Sequence, residues 1–188
     1  MPKAGPAKKG PVKKVAAKTA APAKKAAPAK NAGRLQAGDR APAFSLPDQD
    51  GRKVSLKEFA GSPLVVYFYP ADDTPGCTKE ACQFNDNLHA FNRAGVAVVG
   101  ISPDDAPSHR AFRAKYGLRL PLLSDPGHTT MERYGAWGEK TLYGRKSVGV
   151  IRSTFLVDSD GRVGRAWYGV RADGHAVKVL EEAAALRN

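Results

Sequence analysis

Three short apolar runs constrain the fold of this chain more than any other feature of its sequence. They occupy residues 64–69, 96–101 and 154–157, are rich in β-branched or aromatic side chains, and are bounded by turn residues. Runs of this length and composition are typical of strands that are buried on both faces. We therefore expect them to form the centre of a sheet.

A helical pattern lies between the first two runs. Its apolar residues are spaced four, three, four and three apart, at Cys77, Ala81, Phe84, Leu88 and Phe91. This spacing predicts an amphipathic helix. Thr74 is a candidate N-cap, Pro75 suits the first helical position, and Gly95 marks the end. The strand–helix–strand order predicts a right-handed crossover.

Further elements follow the second run. Helices are expected over residues 106–116 and from about residue 175 to residue 186, and residues 158–161 form a turn between strands at 154–157 and 163–168. The predicted fold is therefore α/β, with a central mixed β-sheet flanked by helices.

The first 34 residues have a different composition from the rest. They hold nine lysines, one arginine and no acidic residue, and prolines interrupt them at short intervals. Such a segment neither builds a core nor sustains a helix. We predict a disordered basic tail over residues 1–34 and one folded domain over residues 35–188.

The tail holds most of the net charge. The chain carries +12 in total, and beyond residue 34 it has 20 basic and 18 acidic side chains, so the domain is nearly neutral. Two interpretations of the tail remain: a solubilising extension, or nonspecific binding to nucleic acid through contacts between lysines and phosphates.

Composition also excludes several classes of protein. No run approaches the roughly 18 to 20 apolar residues that span a bilayer, and the N-terminus lacks the apolar core of a secretory signal. We expect a soluble, intracellular protein. Its only cysteines, Cys77 and Cys82, do not amount to a disulfide framework. A chemical role for them is therefore favoured over a structural one.

The position of Cys77 favours reactivity. If Thr74 is the N-cap, Cys77 is the third helical residue, where free N–H groups and the helix dipole stabilise a thiolate. A small buried core cysteine is an equally good interpretation of the spacing alone. Cys82 lies about 140° around the helix and about 7.5 Å along its axis, so a bond to Cys77 would require the helix to unwind. The spacing also disfavours a zinc site.

The residues around Cys77 resemble the signature of a known protein family. Pro70, Thr74 and Cys77 match the Pro-x-x-x-Thr-x-x-Cys signature of peroxiredoxins. Residues 67–70 (Tyr-Phe-Tyr-Pro), 73–78 (Asp-Thr-Pro-Gly-Cys-Thr) and 80–82 (Glu-Ala-Cys) resemble the PrxQ subfamily, the bacterioferritin comigratory proteins. Segments similar to later blocks of that subfamily follow in the same order, at residues 100–102, 123–125, 134–140 and 152–158. The resemblance runs from about residue 35 to residue 186.

The resemblance implies a thioredoxin-like fold and a thiol peroxidase. Hydrogen peroxide and organic hydroperoxides would be the substrates and thioredoxin the reductant. Cys77 would be the peroxidatic cysteine, Cys82 the resolving cysteine, and Pro70, Thr74 and Arg152 the pocket around them. The resemblance also implies that the enzyme needs no metal, haem or flavin, and it favours a monomer in a bacterial cytoplasm. Tail binding to nucleic acid would place that monomer at the nucleoid.

Other interpretations compete with a peroxidase. A general thiol–disulfide oxidoreductase fits the expected fold, but the chain lacks the Cys-x-x-Cys motif such enzymes usually carry. A nucleic-acid-binding protein with a scaffold domain would rest on the tail. Among single residues, Asp72 and Asp73 are expected to be solvated turn residues. Trp137 is expected to pack at the edge of the pocket or core, and Arg152 alone would suit a surface ion pair.

Overall fold

The computed structural model describes Met1, residues 34–142 and residues 145–185. The predicted disordered tail therefore lies outside the described residues except at its two ends.

The described chain forms nine strands and five α-helices. The strands are β1 (Ser45–Pro47), β2 (Lys53–Ser55), β3 (Leu64–Phe68), β4 (Ala97–Ser102), β5 (Leu122–Ser124), β6 (Trp137–Leu142), β7 (Arg145–Val150), β8 (Ser153–Val157) and β9 (Val163–Tyr168). The helices are α1 (Pro75–Asp86), α2 (Leu88–Arg93), α3 (Ala106–Tyr116), α4 (Thr129–Arg133) and α5 (His175–Ala185), and a 3₁₀ turn covers Leu56–Phe59.

The central sheet has five strands in the order β5-β4-β3-β8-β9. Strand β3 lies in the middle, parallel to β4 and antiparallel to β8, while β4 pairs with β5 in parallel and β8 pairs with β9 antiparallel. All residues of β3 and β8 are buried. The three apolar runs thus form the inner strands, as predicted, and the mixed α/β fold is confirmed.

Side chains alternate between two cores, one on each face of the sheet. Tyr67 of β3 points to the face covered by α1 and α5, together with Phe84, and Phe68 points to the other face with Phe155. Gly100 of β4 makes room for Tyr67, since a Cβ there would lie 2.7 Å from the tyrosine ring. The large ring therefore fits only because its parallel neighbour has no side chain.

The helix expected to begin at Pro75 and to end at Gly95 is instead two helices. Thr74 is the N-cap and Pro75 the first helical residue, as predicted, but α1 ends at Asp86 and α2 begins at Leu88. Asn87 lies between them with ψ near 1°, and its side-chain amide donates to the carbonyl of Gln83 at 2.8 Å. The backbone N–H of Asn87 also donates to that carbonyl, at 3.2 Å, so side chain and backbone share one acceptor at the break.

The other predicted elements agree with the structure. Helix α3 has the predicted limits, α5 begins at His175 as predicted, and the turn at residues 158–161 joins β8 to β9. Residue 186, the predicted end of the last helix, lies outside the described residues. Within the described ranges, no helix has the length and apolar character needed to cross a membrane.

Candidate active site

The site is built around the first turn of α1. The chain leaves β3, passes through Tyr69 and half-buried Pro70, and enters the helix at Thr74, which has an extended backbone. The Thr74 hydroxyl donates to the carbonyl of Ala71 at 3.1 Å and accepts no capping hydrogen bond from the helix N–H groups. Cys77 follows as the third helical residue and is only 1% exposed. Its sulfur thus lies beside the free N–H groups of the helix start.

Arg152 lies beside Cys77. It is placed between β7 and β8, and its guanidinium donates from Nη2 to Cys77 Sγ at 3.2 Å and from Nη1 to the Glu80 carboxylate. A charged donor at this distance stabilises a thiolate more strongly than a neutral donor would. The structure therefore brings two of the predicted site residues together. Among the hydrogen bonds of the described residues, none joins Thr74 to Cys77.

Gly76 permits this approach. A Cβ at residue 76 would lie 3.3 Å from Arg152 Nη2, closer than an ordinary contact. Its φ is not positive, so the glycine is needed for space rather than for backbone conformation.

Glu80 is a site residue that the sequence interpretation missed. Its side chain is fully buried and forms an ion pair with Arg152. Burial raises the pKa of Glu80 to about 7, against the opposing effect of the Arg152 charge. A signal for it exists in the sequence, because Glu80 lies between Cys77 and Phe84 on the side of the helix that the apolar spacing marks as buried. A carboxylate there requires a buried partner.

The burial of Asp72 differs from the prediction. It was expected to be solvated, but its side chain is only 4% exposed. Its carboxylate accepts hydrogen bonds from Tyr69 Oη and Ser108 Oγ, both at 2.8 Å, and lies 2.8 Å from His109 Nδ1. Ser108 and His109 belong to α3, so this buried network fixes the loop before Cys77 onto a second helix.

Asp73 is exposed, as predicted, but it is not free of partners. It has a left-handed backbone with φ of 53° and binds Lys115 Nζ and Tyr116 Oη, each at 2.6 Å. Hydrogen bonds from Lys115 and Tyr116 lower the pKa of this carboxyl. Both acidic residues thus tie the β3–α1 loop to α3.

Cys82 lies on the same helix as Cys77, is half-buried, and is a free thiol. Burial, with a smaller effect from Asp86, raises the pKa of the Cys82 thiol. Cys82 lies five positions after Cys77 on an intact helix, about 140° around it and about 7.5 Å along its axis, so α1 must unwind before the two sulfurs can bond.

One further prediction concerns the surroundings of the site. Trp137 packs at the edge of the second core, as expected, with its ring stacked 3.6 Å from that of His128. Within residues 34–142 and 145–185, no group of three or more His, Cys, Asp or Glu side chains could hold a metal ion.

Comparison with known proteins first identifies the family. The profile of the AhpC/TSA family matches residues 37–166. The chain therefore belongs to the AhpC/TSA family, which implies peroxidase, and so oxidoreductase, activity.

Individual relatives then place it more narrowly. The chain is 55% identical over 149 residues to a putative peroxiredoxin of Mycobacterium tuberculosis, a match that covers 79% of this chain and 95% of that protein. It is 44% identical over 146 residues to peroxiredoxin Bcp of Escherichia coli, which covers 78% and 94% of the two chains.

Solved structures agree with this placement. A bacterioferritin comigratory protein of Xanthomonas campestris, studied for alkyl peroxide reduction, superposes with a TM-score of 0.75 at 38% identity, over 81% of this chain and 99% of that one. A PrxQ mutant of Xylella fastidiosa gives a TM-score of 0.77 at 33% identity, over 83% and 99%. The thioredoxin-like fold and the resemblance to PrxQ are confirmed.

Proposed function

We propose that this protein is a thioredoxin-dependent peroxidase that reduces hydrogen peroxide and organic hydroperoxides at Cys77. The observation that carries the proposal is the 3.2 Å contact between Arg152 Nη2 and Cys77 Sγ at the buried start of α1. This geometry favours a thiolate there and supplies a fixed positive charge beside it.

The first step oxidises Cys77. Its thiolate attacks the terminal oxygen of the peroxide, the O–O bond breaks, and the departing oxygen takes a proton to leave as water or an alcohol. Arg152 stabilises the negative charge as it moves from sulfur to oxygen. Glu80 holds the guanidinium in position. In this proposal the Thr74 hydroxyl turns from Ala71 to the bound peroxide, and Pro70 shields the pocket from water.

The second step resolves the sulfenic acid. Cys82 condenses with Cys77 to form a disulfide with loss of water, after α1 has unwound. Thioredoxin then reduces this disulfide by exchange. Cys82 suits the resolving role because it is the second of the two cysteines and lies on the same helix.

A coupled assay tests the proposal. Oxidation of reduced thioredoxin is followed in the presence of hydrogen peroxide or a hydroperoxide, with wild type, Cys77→Ser and Cys82→Ser. We expect turnover by wild type, none by Cys77→Ser, and sulfenic acid without sustained turnover in Cys82→Ser. Equal activity in Cys77→Ser would refute the role of Cys77, and equal activity in Cys82→Ser would remove Cys82 from the cycle.

The same assay separates the peroxidase from a general thiol–disulfide oxidoreductase. A peroxidase oxidises thioredoxin only when peroxide is present. Thiol–disulfide exchange with unrelated disulfide substrates at a comparable rate, without peroxide, would favour the oxidoreductase instead.

For the basic tail we propose nonspecific binding to nucleic acid. The proposal rests on its nine lysines and one arginine without any acidic residue. Gel shifts should show binding by the full chain that falls steeply as salt rises, and much weaker binding by a chain that starts at Arg34. Equal binding by both would refute the proposal. We also propose that the enzyme acts as a monomer, which light scattering of the reduced protein tests.

A further inference from the structure

Polar contacts join the segment of α1 that carries Cys82 to the loop before α5. Lys79 Nζ lies 2.8 Å from Asp173 Oδ1, and Gln83 Nε2 donates to the same oxygen at 3.2 Å. The backbone N–H of Gly174 donates to Gln83 Oε1 at 3.0 Å. We call this set of contacts, between Lys79 and Gln83 on α1 and Asp173 and Gly174 before α5, the latch.

The latch spans the part of the helix that must open. Lys79 lies between the two cysteines and Gln83 directly follows Cys82. Both side chains bind one loop, so the turn that carries Cys82 stays helical while the latch is closed. The loop is itself anchored, because His175 directly after it is buried and bonds Thr154 Oγ1 at 2.9 Å.

The two ends of α1 are held in different ways. The loop before Cys77 is fixed by Asp72, whose partners Tyr69 and His109 are buried with it. The latch is open to water: the side chains of Lys79 and Asp173 are 52% and 74% exposed. Exposed polar contacts contribute little free energy and break easily, whereas buried ones are costly to break. Of these two sets of contacts, the latch is thus the more easily released.

We propose that Gln83 and Asp173 are positioning residues that set how fast Cys82 reaches oxidised Cys77. This inference rests on the proposed resolving role of Cys82. While the latch is closed, the sulfenic acid at Cys77 persists. A second peroxide can then add an oxygen to it, giving a sulfinic acid and releasing water or an alcohol. When the latch opens, the Cys82 thiol condenses with the sulfenic acid, and water leaves as the disulfide forms. The latch therefore partitions Cys77 between turnover and inactivation.

Variants of the latch test this proposal. Gln83→Met removes both hydrogen bonds but keeps the length and helix propensity of the side chain, and Asp173→Ala removes the partner. Reduced protein is mixed with one equivalent of hydrogen peroxide, and in a second series with an excess. Each sample is quenched by alkylation at short times and analysed by mass spectrometry for sulfenic acid, disulfide and sulfinic acid. Glu182→Gln is the matched control, since its exposed contact with Arg165 does not involve α1.

We expect disulfide formation to be about three- to tenfold faster in either variant, the factor given by losing one or two exposed hydrogen bonds. The double variant should be faster than either single variant, but by less than the product of their two factors, because both single variants remove the Gln83–Asp173 hydrogen bond. The rate of Cys77 oxidation should not change, and the sulfinic fraction at excess peroxide should fall. Glu182→Gln should match wild type throughout.

Two results would overturn the inference. One is disulfide formation at the wild-type rate in both variants, and the other is a parallel fall in the rate of Cys77 oxidation, which would place these residues in the peroxide pocket. Absence of any Cys77–Cys82 disulfide in wild type is a different result. It would refute the proposed resolving role of Cys82, and with it the proposed effect of the latch on disulfide formation.

Discussion

Replacing Arg152 by lysine keeps the positive charge but removes the fork that holds the site together. In the native protein one nitrogen of the guanidinium binds Cys77 and the other binds Glu80. A lysine has a single nitrogen and cannot reproduce this planar, two-pronged geometry. We expect the lysine ammonium to keep the ion pair with the buried Glu80 carboxylate and to lose the hydrogen bond to Cys77 Sγ.

The size of the effect follows from the lost contact. A hydrogen bond to a charged group contributes about 1.5–3 kcal/mol, and about 1.4 kcal/mol corresponds to a tenfold change in rate. Arg152→Lys should therefore lower the second-order rate of Cys77 oxidation by about 10- to 150-fold.

The assay is a single turnover with hydrogen peroxide in the Cys82→Ser background, so that only the oxidation of Cys77 is measured. Arg165→Lys is the matched control, because Arg165 is exposed and lies 3.8 Å from its partner Glu182 on the surface. A loss of less than about threefold in Arg152→Lys, with Tm unchanged, would show that the contact to sulfur does not drive the reaction.

Three further substitutions test the surroundings of the sulfur. Gly76→Ala should slow Cys77 oxidation about tenfold without lowering Tm, because its Cβ crowds Arg152 while alanine favours the helix; Gly127→Ala, which has room, should match wild type, and an unimpaired Gly76→Ala would contradict the steric argument. Because the pKa of Glu80 is about 7 against an ordinary 4.5, the folded protein binds that proton more tightly than the unfolded chain. The free energy of unfolding of the protein should thus fall as pH rises from about 4.5 to about 7. Urea titrations across this range should show that decline reduced in Glu80→Gln, and an equal decline would contradict the shift. Asp72→Ala leaves Tyr69 Oη, Ser108 Oγ and His109 Nδ1 without their carboxylate partner and should lower the free energy of unfolding by about 3 kcal/mol in urea titrations; a loss below about 1 kcal/mol would contradict the network.

The sheet and the start of α1 could be predicted because their signals are local. Strands buried on both faces have few polar residues, as residues 64–69 show, and Thr74 with Pro75 marks a helix start in two adjacent positions. The break at Asn87 was missed because the apolar spacing continues through it from Phe84 to Phe91. At the break the Asn87 side chain bonds to the Gln83 carbonyl, a local contact that the apolar periodicity does not report.

The site was predictable only in part, because its contacts join distant segments. Arg152 lies 75 residues from Cys77 along the chain, and the resemblance to peroxiredoxins pointed to it where spacing could not. The burial of Asp72 could not be predicted from local sequence, because its partners on α3, Ser108 and His109, lie more than 30 residues away. The role of Glu80 could have been predicted from the sequence, since a carboxylate on the apolar side of an amphipathic helix indicates a buried partner.

Chemical mapping of Cys77 after a single equivalent of hydrogen peroxide tests the proposed peroxidase most directly. Reduced protein is oxidised, alkylated, digested and analysed by mass spectrometry, with Cys82→Ser beside wild type. We predict that wild type consumes the peroxide and yields a Cys77–Cys82 disulfide that thioredoxin reduces, and that Cys82→Ser yields a sulfenic acid at Cys77. Recovery of Cys77 as an unmodified thiol in both proteins, with the peroxide left unconsumed, would contradict the mechanism.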